Sequence, residues 1–156
     1  MGIMKKIYIL VGIPGSGKST WIKNQPWLKD AIVISSDNHI EAYATSIGKT
    51  YNDVYRDYIK TAEKLVKRDI KNAITSDKDV IIDQTNVTAK GRKKKLNLFK
   101  NHYKIAVVFK ILGDDELYSR LKSRLGKHIS KRTIDKMKCM YEPPSLDEGF
   151  DEIWKS

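Results

Sequence analysis

Apolar residues gather into short, nearly continuous runs along the chain: Lys6–Val11, Ala31–Ser35, Asp79–Asp83 and Lys104–Ile111. Runs of this length without alternation read as strands buried on both faces, the habit of a parallel sheet. A weaker run at Phe150–Trp154 reads as a last short strand. The segments between change period. From Asn52 to about Thr75, Val54, Tyr58, Ile59, Ala62, Leu65, Val66, Ile70, Ala73 and Ile74 follow the helical repeat, with Asn52 or Asp53 as the N-cap. Shorter helices are expected at Lys18–Asn24, at Asn38–Ser46 before Gly48, within Thr88–Lys104, at Asp114–Leu125 and at Ser130–Tyr141 before Pro143-Pro144. Trp27–Asp30 reads as a connection, with Trp21 and Trp27 packing in the core. Strands alternating with helices predict an α/β fold, a parallel sheet of four to five strands with helices on both faces. At 156 residues this is expected to be one domain, 1–156.

The first strand runs into Gly12-Ile13-Pro14-Gly15-Ser16-Gly17-Lys18-Ser19, followed by Thr20. This fits G-x-x-x-x-G-K-[ST], the phosphate-binding loop, in its required setting between a strand and a helix. Glycine lets backbone N–H groups close around a polyphosphate, and the helix that starts there adds its positive end. The candidate nucleotide-binding set is therefore Gly12, Pro14, Gly15, Ser16, Gly17, Lys18, Ser19 and Thr20, with ATP and Mg2+ as the expected cofactors. Lys18 is expected on the β- and γ-phosphates and the Ser19 hydroxyl on magnesium.

In a parallel sheet, ligands sit beyond the carboxyl ends of the strands. The second strand ends in Ser36-Asp37-Asn38-His39, so Asp37 is expected near the phosphates, as a base for an attacking hydroxyl or as a helix N-cap. The third ends in Asp83-Gln84-Thr85-Asn86. Asp83 is a candidate magnesium ligand, and Thr85 and Asn86 offer neutral hydrogen bonds. Gln84 stands where many ATP-hydrolysing motors carry glutamate, which moves the reading from hydrolysis towards transfer. Arg120 and Arg124, one turn apart, are expected to close over a triphosphate as part of a helical arginine lid at about 114–130. Leu125-Gly126-Lys127-His128 reads as a hinge.

Charge narrows the partner. The net charge is +11, and it is clustered. Lys90, Arg92, Lys93, Lys94, Lys95, Lys100 and Lys104 lie in one segment without an acid, and between residues 118 and 138 eight basic residues face Asp135 alone. Clustering next to the site predicts a nucleic-acid partner, DNA or RNA, rather than a charged surface kept for solubility. Cys139 is the only cysteine, which excludes an internal disulfide, and it is expected to fill space. No apolar run approaches the ~20 residues of a membrane span. Met1–Lys6 is too short for a signal peptide, so the expected location is the cytoplasm.

Together, the P-loop through Trp21, Ser36-Asp37, Asp83-Gln84-Thr85-Asn86, Arg120-x-x-x-Arg124 and the ending Tyr141-Glu142-Pro143-Pro144 to Ile153 resemble the kinase domain of phage-type polynucleotide 5′-kinases. The resemblance implies a P-loop kinase fold and transfer of the ATP γ-phosphate to a 5′-hydroxyl, in a phage-infected host. It makes Asp37 the residue that activates the acceptor hydroxyl, Arg124 and Arg120 the lid arginines, and Arg92, with Thr85 and Asn86, a contact to the acceptor. Two departures bear on the acceptor. The family's arginine three residues after the catalytic aspartate is Ile40 here, and its aspartate before Thr-Asn is Gln84, with Asp83 one position earlier. Three other readings therefore stand beside this one. They are a kinase for hydroxymethyl pyrimidines within modified phage DNA, a small-metabolite or nucleoside kinase, and a non-catalytic ATP-switched nucleic-acid-binding module.

Overall fold

The computed structural model describes residues 3–156. The apolar runs form five strands, β1 (Lys6–Val11), β2 (Ile32–Ile34), β3 (Val80–Ile82), β4 (Tyr103–Val108) and β5 (Glu152–Lys155). All pair in parallel, in the order β2-β3-β1-β4-β5. The central strand is therefore the one that feeds the P-loop. Ile9 pairs with Ile82 on one side and Ala106 on the other. The chain leaves β1 for one edge and returns across it to β4, which opens a crevice at the carboxyl end of β1.

Alternate residues of each strand face opposite sides, and that alternation builds two cores. Ile7, Ile9 and Val11 of β1 join Ile34, Ile82 and Ala106 on one face. Val66 and Ala73 of α3 (Tyr51–Thr75) and Leu96 of α4 (Ala89–Leu98) cover that face. Tyr8 and Leu10 join Ile81, Ile105 and Val107 on the other face, against Trp21 and Ile22 of α1 (Lys18–Lys23). Two smaller clusters matter for the site. Ile40 and Ala44 of α2 (Ser36–Ser46) pack on Val54 and Ala62 of α3. Leu117 and Leu121 of α5 (Asp114–Lys122) pack with Ile13, Val87 and Ile134 of α6 (Lys131–Met140), laying α5 across the P-loop.

Several boundaries differ from the sequence expectation, each for a local reason. Helix α2 begins at Ser36 because the Ser35 hydroxyl caps it, accepting from the Asn38 N–H at 3.2 Å. Helix α3 is capped by Thr50, with Asp53 completing a capping box, so neither Asn52 nor Asp53 is the N-cap. Helix α5 stops at Lys122, short of Leu125. The tryptophans part company. Trp21 packs edge-on against Phe109 at 6.3 Å, whereas Trp27, in a 3-10 turn over Pro26–Leu28, is 59% exposed and not in the core. Cys139 is exposed rather than filling space. Among the described residues no helix is long and apolar enough to cross a membrane.

Candidate active site

The loop after β1 has the geometry its glycines anticipate. Gly15 and Gly17 have φ of 84° and 100°, a region that side chains disfavour. The Gly12 N–H donates to the Thr85 carbonyl at 3.0 Å, and a Cβ on Gly12 would come within 2.5 Å of Ser16 Oγ. That hydroxyl is itself buried without a partner among the described residues. Lys18 Nζ folds back on the Gly12 and Ile13 carbonyls at 2.6 and 3.2 Å. Burial pushes its ammonium down to about 8, with Asp83 opposing. A cradle too narrow for a side chain, an orphaned hydroxyl and a lysine with no carboxylate bonded to it fit a polyphosphate.

Two clefts meet at the strand ends. The first, about 670 Å³, is lined by Pro14 to Trp21, Asp37, Asp83, Thr85, Arg120 and Arg124. The second, about 690 Å³, is lined by Asp37, Tyr51, Tyr55, Asp83, Thr85, Asn86, Lys95 and Lys127. Asp37, Asp83, Thr85 and Lys127 line both, so these residues mark the junction.

Because Ser35 takes the cap, Asp37 sits in the first turn of α2 with its carboxylate free for side chains. Its Oδ1 accepts from Tyr51 Oη at 2.7 Å and its Oδ2 from Lys127 Nζ at 2.7 Å. Burial works against the ionised form, but Lys127 and the Tyr51 hydroxyl outweigh it and hold the carboxyl below its usual range. Burial and the neighbouring carboxylate push the Tyr51 hydroxyl up. Asp83, at the end of β3, is shifted the other way: burial raises it and Asp37 adds to the rise, against Lys18. The two carboxyls thus have opposite environments, one where a bonded ammonium and hydroxyl favour charge and one where burial outweighs the pull of Lys18. The Ser19 hydroxyl and Asp83 are hard oxygen donors in one cleft, a set that fits magnesium.

Arg120 Nη1 donates to the Gly15 carbonyl at 3.3 Å and Nη2 to Glu116 at 2.9 Å. Arg124 lies beyond the end of α5, in the turn where its N–H donates to the Leu121 carbonyl, and lines the first cleft. Asn86, at φ 49°, turns its amide on the Leu10 carbonyl at 2.7 Å and the Gln84 carbonyl at 3.2 Å, and its Oδ1 accepts from Lys95. Burial lowers the Lys95 ammonium to about 8. Arg92 departs from expectation altogether. It is fully buried, paired through two nitrogens with Glu148, and lines neither cleft. Contrary to the expectation, Arg92 therefore has no face from which to contact an acceptor in either cleft. The places of Lys127, Tyr51 and Lys95 in the site are not in the sequence reading: Lys127 reads as part of a hinge, Lys95 only as one of a basic run facing nucleic acid, and Tyr51 stands just before the long helix expected from Asn52.

A family model described as an AAA domain matches residues 7–144. The chain is 26% identical over 155 residues to the bifunctional polynucleotide phosphatase/kinase of Schizosaccharomyces pombe, covering 96% of this chain and 33% of that protein. It therefore spans about a third of that relative's length. Among solved structures, a proposed kinase of Chloroflexus aurantiacus superposes with a TM-score of 0.69 at 17% identity, covering 98% of this chain and 88% of the other. A gluconokinase of Sinorhizobium meliloti superposes with a TM-score of 0.57 at 14% identity, covering 99% and 83%. At those identities the likeness is one of fold. A family match over residues 7–144, on a parallel sheet whose central strand feeds a phosphate-binding loop, makes this chain a member of the AAA-domain family with the fold of the P-loop kinases.

Proposed function

We propose that the chain is an ATP- and magnesium-dependent kinase that transfers the γ-phosphate to a hydroxyl on nucleic acid, the 5′-hydroxyl of a polynucleotide. The observation that carries this is Asp37, an ionised carboxylate where a phosphate-binding cleft meets a second cleft with tyrosines on its wall. A transferase needs two compartments that share a base; an ATP-switched binding module does not. The polynucleotide acceptor is supported by the yeast relative and by the basic surface.

In this reading Gly12 to Thr20 hold ATP, and Asp37 takes the proton from the acceptor hydroxyl. Lys18, Arg124 and Arg120 offset charge on the phosphoryl group, with 114–130 acting as the lid of a single domain 1–156. Ser19 and Asp83 would hold magnesium, which supplies charge neutralisation on the β- and γ-phosphates when bound. Thr85 and Asn86 form the floor of the acceptor cleft. Ile40 is fully buried in the α2–α3 cluster, so α2 contributes no cation to the acceptor at that position.

The test is transfer of labelled γ-phosphate to two acceptors, a 5′-hydroxyl oligonucleotide and a 5′-blocked duplex carrying hydroxymethyl pyrimidines. Label is expected on the first. Label on the second alone would make this a base-modifying kinase, and label on neither, with ATP bound, would turn the search to metabolites.

Helix α4 supplies a separate check on the partner. Lys90, Lys93 and Lys94 are exposed, whereas Arg92 and Lys95 turn inward. If the exposed three meet phosphates, log Kd against log salt has a slope of about 0.9 per contact. Replacing all three by glutamine is then expected to reduce that slope by about 2–3. An unchanged slope would take α4 out of the interface.

A further inference from the structure

We propose that Lys127 is a further catalytic cation of this site, clasped by the first turn of α3 at the junction of the two clefts and passed from Asp37 to the phosphoryl group during transfer. The proposal rests on the kinase reading above. Lys127 lies in the segment between α5 and α6, outside any helix. A lysine there ordinarily extends into water. This one does not, and its side chain is only 12% exposed.

The reason is a clasp around it. The Asn52 N–H donates to the Gly126 carbonyl at 3.0 Å, the Asn52 side-chain amide to the His128 carbonyl at 3.2 Å, and the His128 N–H to Asn52 Oδ1 at 2.7 Å. One asparagine thus grips the residues on both sides of Lys127. The expected hinge at 125–128 is in this structure a docked turn. Next to Asn52, Tyr51 provides the surface on which Lys127 lies, with Nζ 4.5 Å from the ring centroid. The ammonium ends 2.7 Å from Asp37 Oδ2 and 3.6 Å from Glu41 Oε1.

The charges around this point show where the ammonium goes next. Asp37 is faced by Lys127, by the Tyr51 hydroxyl from α3 and by Lys18 from the P-loop, with Asp83 beyond β3 and Glu41 one turn along α2. In the transfer step the acceptor O–H gives its proton to the Asp37 carboxylate. The acceptor oxygen forms its bond to the γ-phosphorus as the bond from that phosphorus to the β–γ bridging oxygen breaks, and ADP leaves with that electron pair. Once protonated, Asp37 no longer holds the ammonium. Lys127, which already lines the nucleotide cleft, is then free to pair with the non-bridging oxygens of the group in transit.

The experiment compares wild type with Lys127→Met, Lys127→Arg and Asn52→Ala, using the 5′-hydroxyl oligonucleotide and thermal unfolding as the folding control. Lys127→Met is expected to lower kcat by about 100-fold, the usual effect of one lost donor to developing charge, with KM for ATP little changed. The acid limb of kcat/KM for the acceptor should move up, because Asp37 has lost the ammonium that favours its charged form. Lys127→Arg should recover much of kcat, and Asn52→Ala, which opens the clasp from the wall of the second cleft and leaves the ammonium in the chain, should fall between. A fall in kcat with the acid limb in place would mark a merely structural lysine and overturn the proposal. So would an unchanged kcat, or the higher kcat of a latch removed from its base. If wild type labels no acceptor at all, the kinase reading fails and the phosphoryl role of Lys127 falls with it.

Discussion

Replacing Asp37 by alanine is expected to lower phosphoryl transfer by about 10²–10⁴-fold, the usual contribution of a positioned base, while ATP still binds. ATP is retained because the loop that holds it is built from the β1 carboxyl end and its own backbone, not from α2. Asp37→Asn is the sharper variant. It keeps the shape and can still accept from the Tyr51 hydroxyl, now 2.7 Å from Oδ1, but it cannot take a proton. If both variants are equally inactive, the proton is what Asp37 handles; if asparagine keeps turnover, Asp37 only positions the acceptor. The pH profile adds a sign. Asp37 lies below the usual carboxylate range, so activity is expected to persist into mildly acid pH before the base is protonated. Lys18, pushed down to about 8, predicts an alkaline fall as its ammonium loses its proton. Bound phosphates would move that limb upward.

The parts of this site that repeat a backbone rule could be read from sequence. The run into Gly12 predicts β1, the glycine spacing predicts the loop, and the runs ending at Ser35 and Asp83 place Asp37 and Asp83 at the crevice. These follow from local chemistry and from the topology of any parallel sheet. What was hidden is tertiary. Nothing near Lys127 says that Asn52, far away in sequence, grips its neighbours. Helix α4 is the clearest case. A run of Arg92, Lys93, Lys94 and Lys95 looks uniform, yet the helix buries the first, half-buries the last and exposes the middle pair. Amphipathic reading weighs apolar residues, and here the inward face carries Arg92 and Lys95 beside Leu96. The partners reveal why: Glu148 receives Arg92, and Asn86 Oδ1 accepts from Lys95.

Arg92→Met is expected to destabilise the fold by about 3–5 kcal/mol, because it breaks a buried ion pair from one side. Arg92 Nε and Nη2 donate to the two Glu148 oxygens at 2.7 and 3.1 Å, and Nη1 donates to the Asn86 carbonyl at 2.8 Å. The variant leaves a carboxylate that is 11% exposed without its counter-ion, held by the Ser145 N–H alone, and a buried carbonyl without the Arg92 donor. At about 2–4 °C per kcal/mol for a chain of this size, the melting temperature should fall by about 10 °C. Acid dependence follows from Glu148. Burial would raise its carboxyl, but the Arg92 hydrogen bonds and the Ser145 N–H outweigh this and hold it below the ordinary value. The stability this contributes is present above the ordinary glutamate range and is lost as pH falls through the depressed folded value. In Arg92→Met that acid loss should shrink. A double variant, Arg92→Met with Glu148→Leu, should recover much of the loss, since it leaves no unpaired charge. An unchanged melting temperature would defeat the brace, and a raised acceptor KM at full stability would restore Arg92 to the acceptor. The brace matters to the site because it is continuous with it. Arg92 holds the Asn86 carbonyl, Asn86 holds the carbonyls of Leu10 and Gln84, and Thr85 between them accepts from Gly12. Glu148 thus fixes, through one arginine and one asparagine, the height at which the β3 end meets the first glycine of the P-loop.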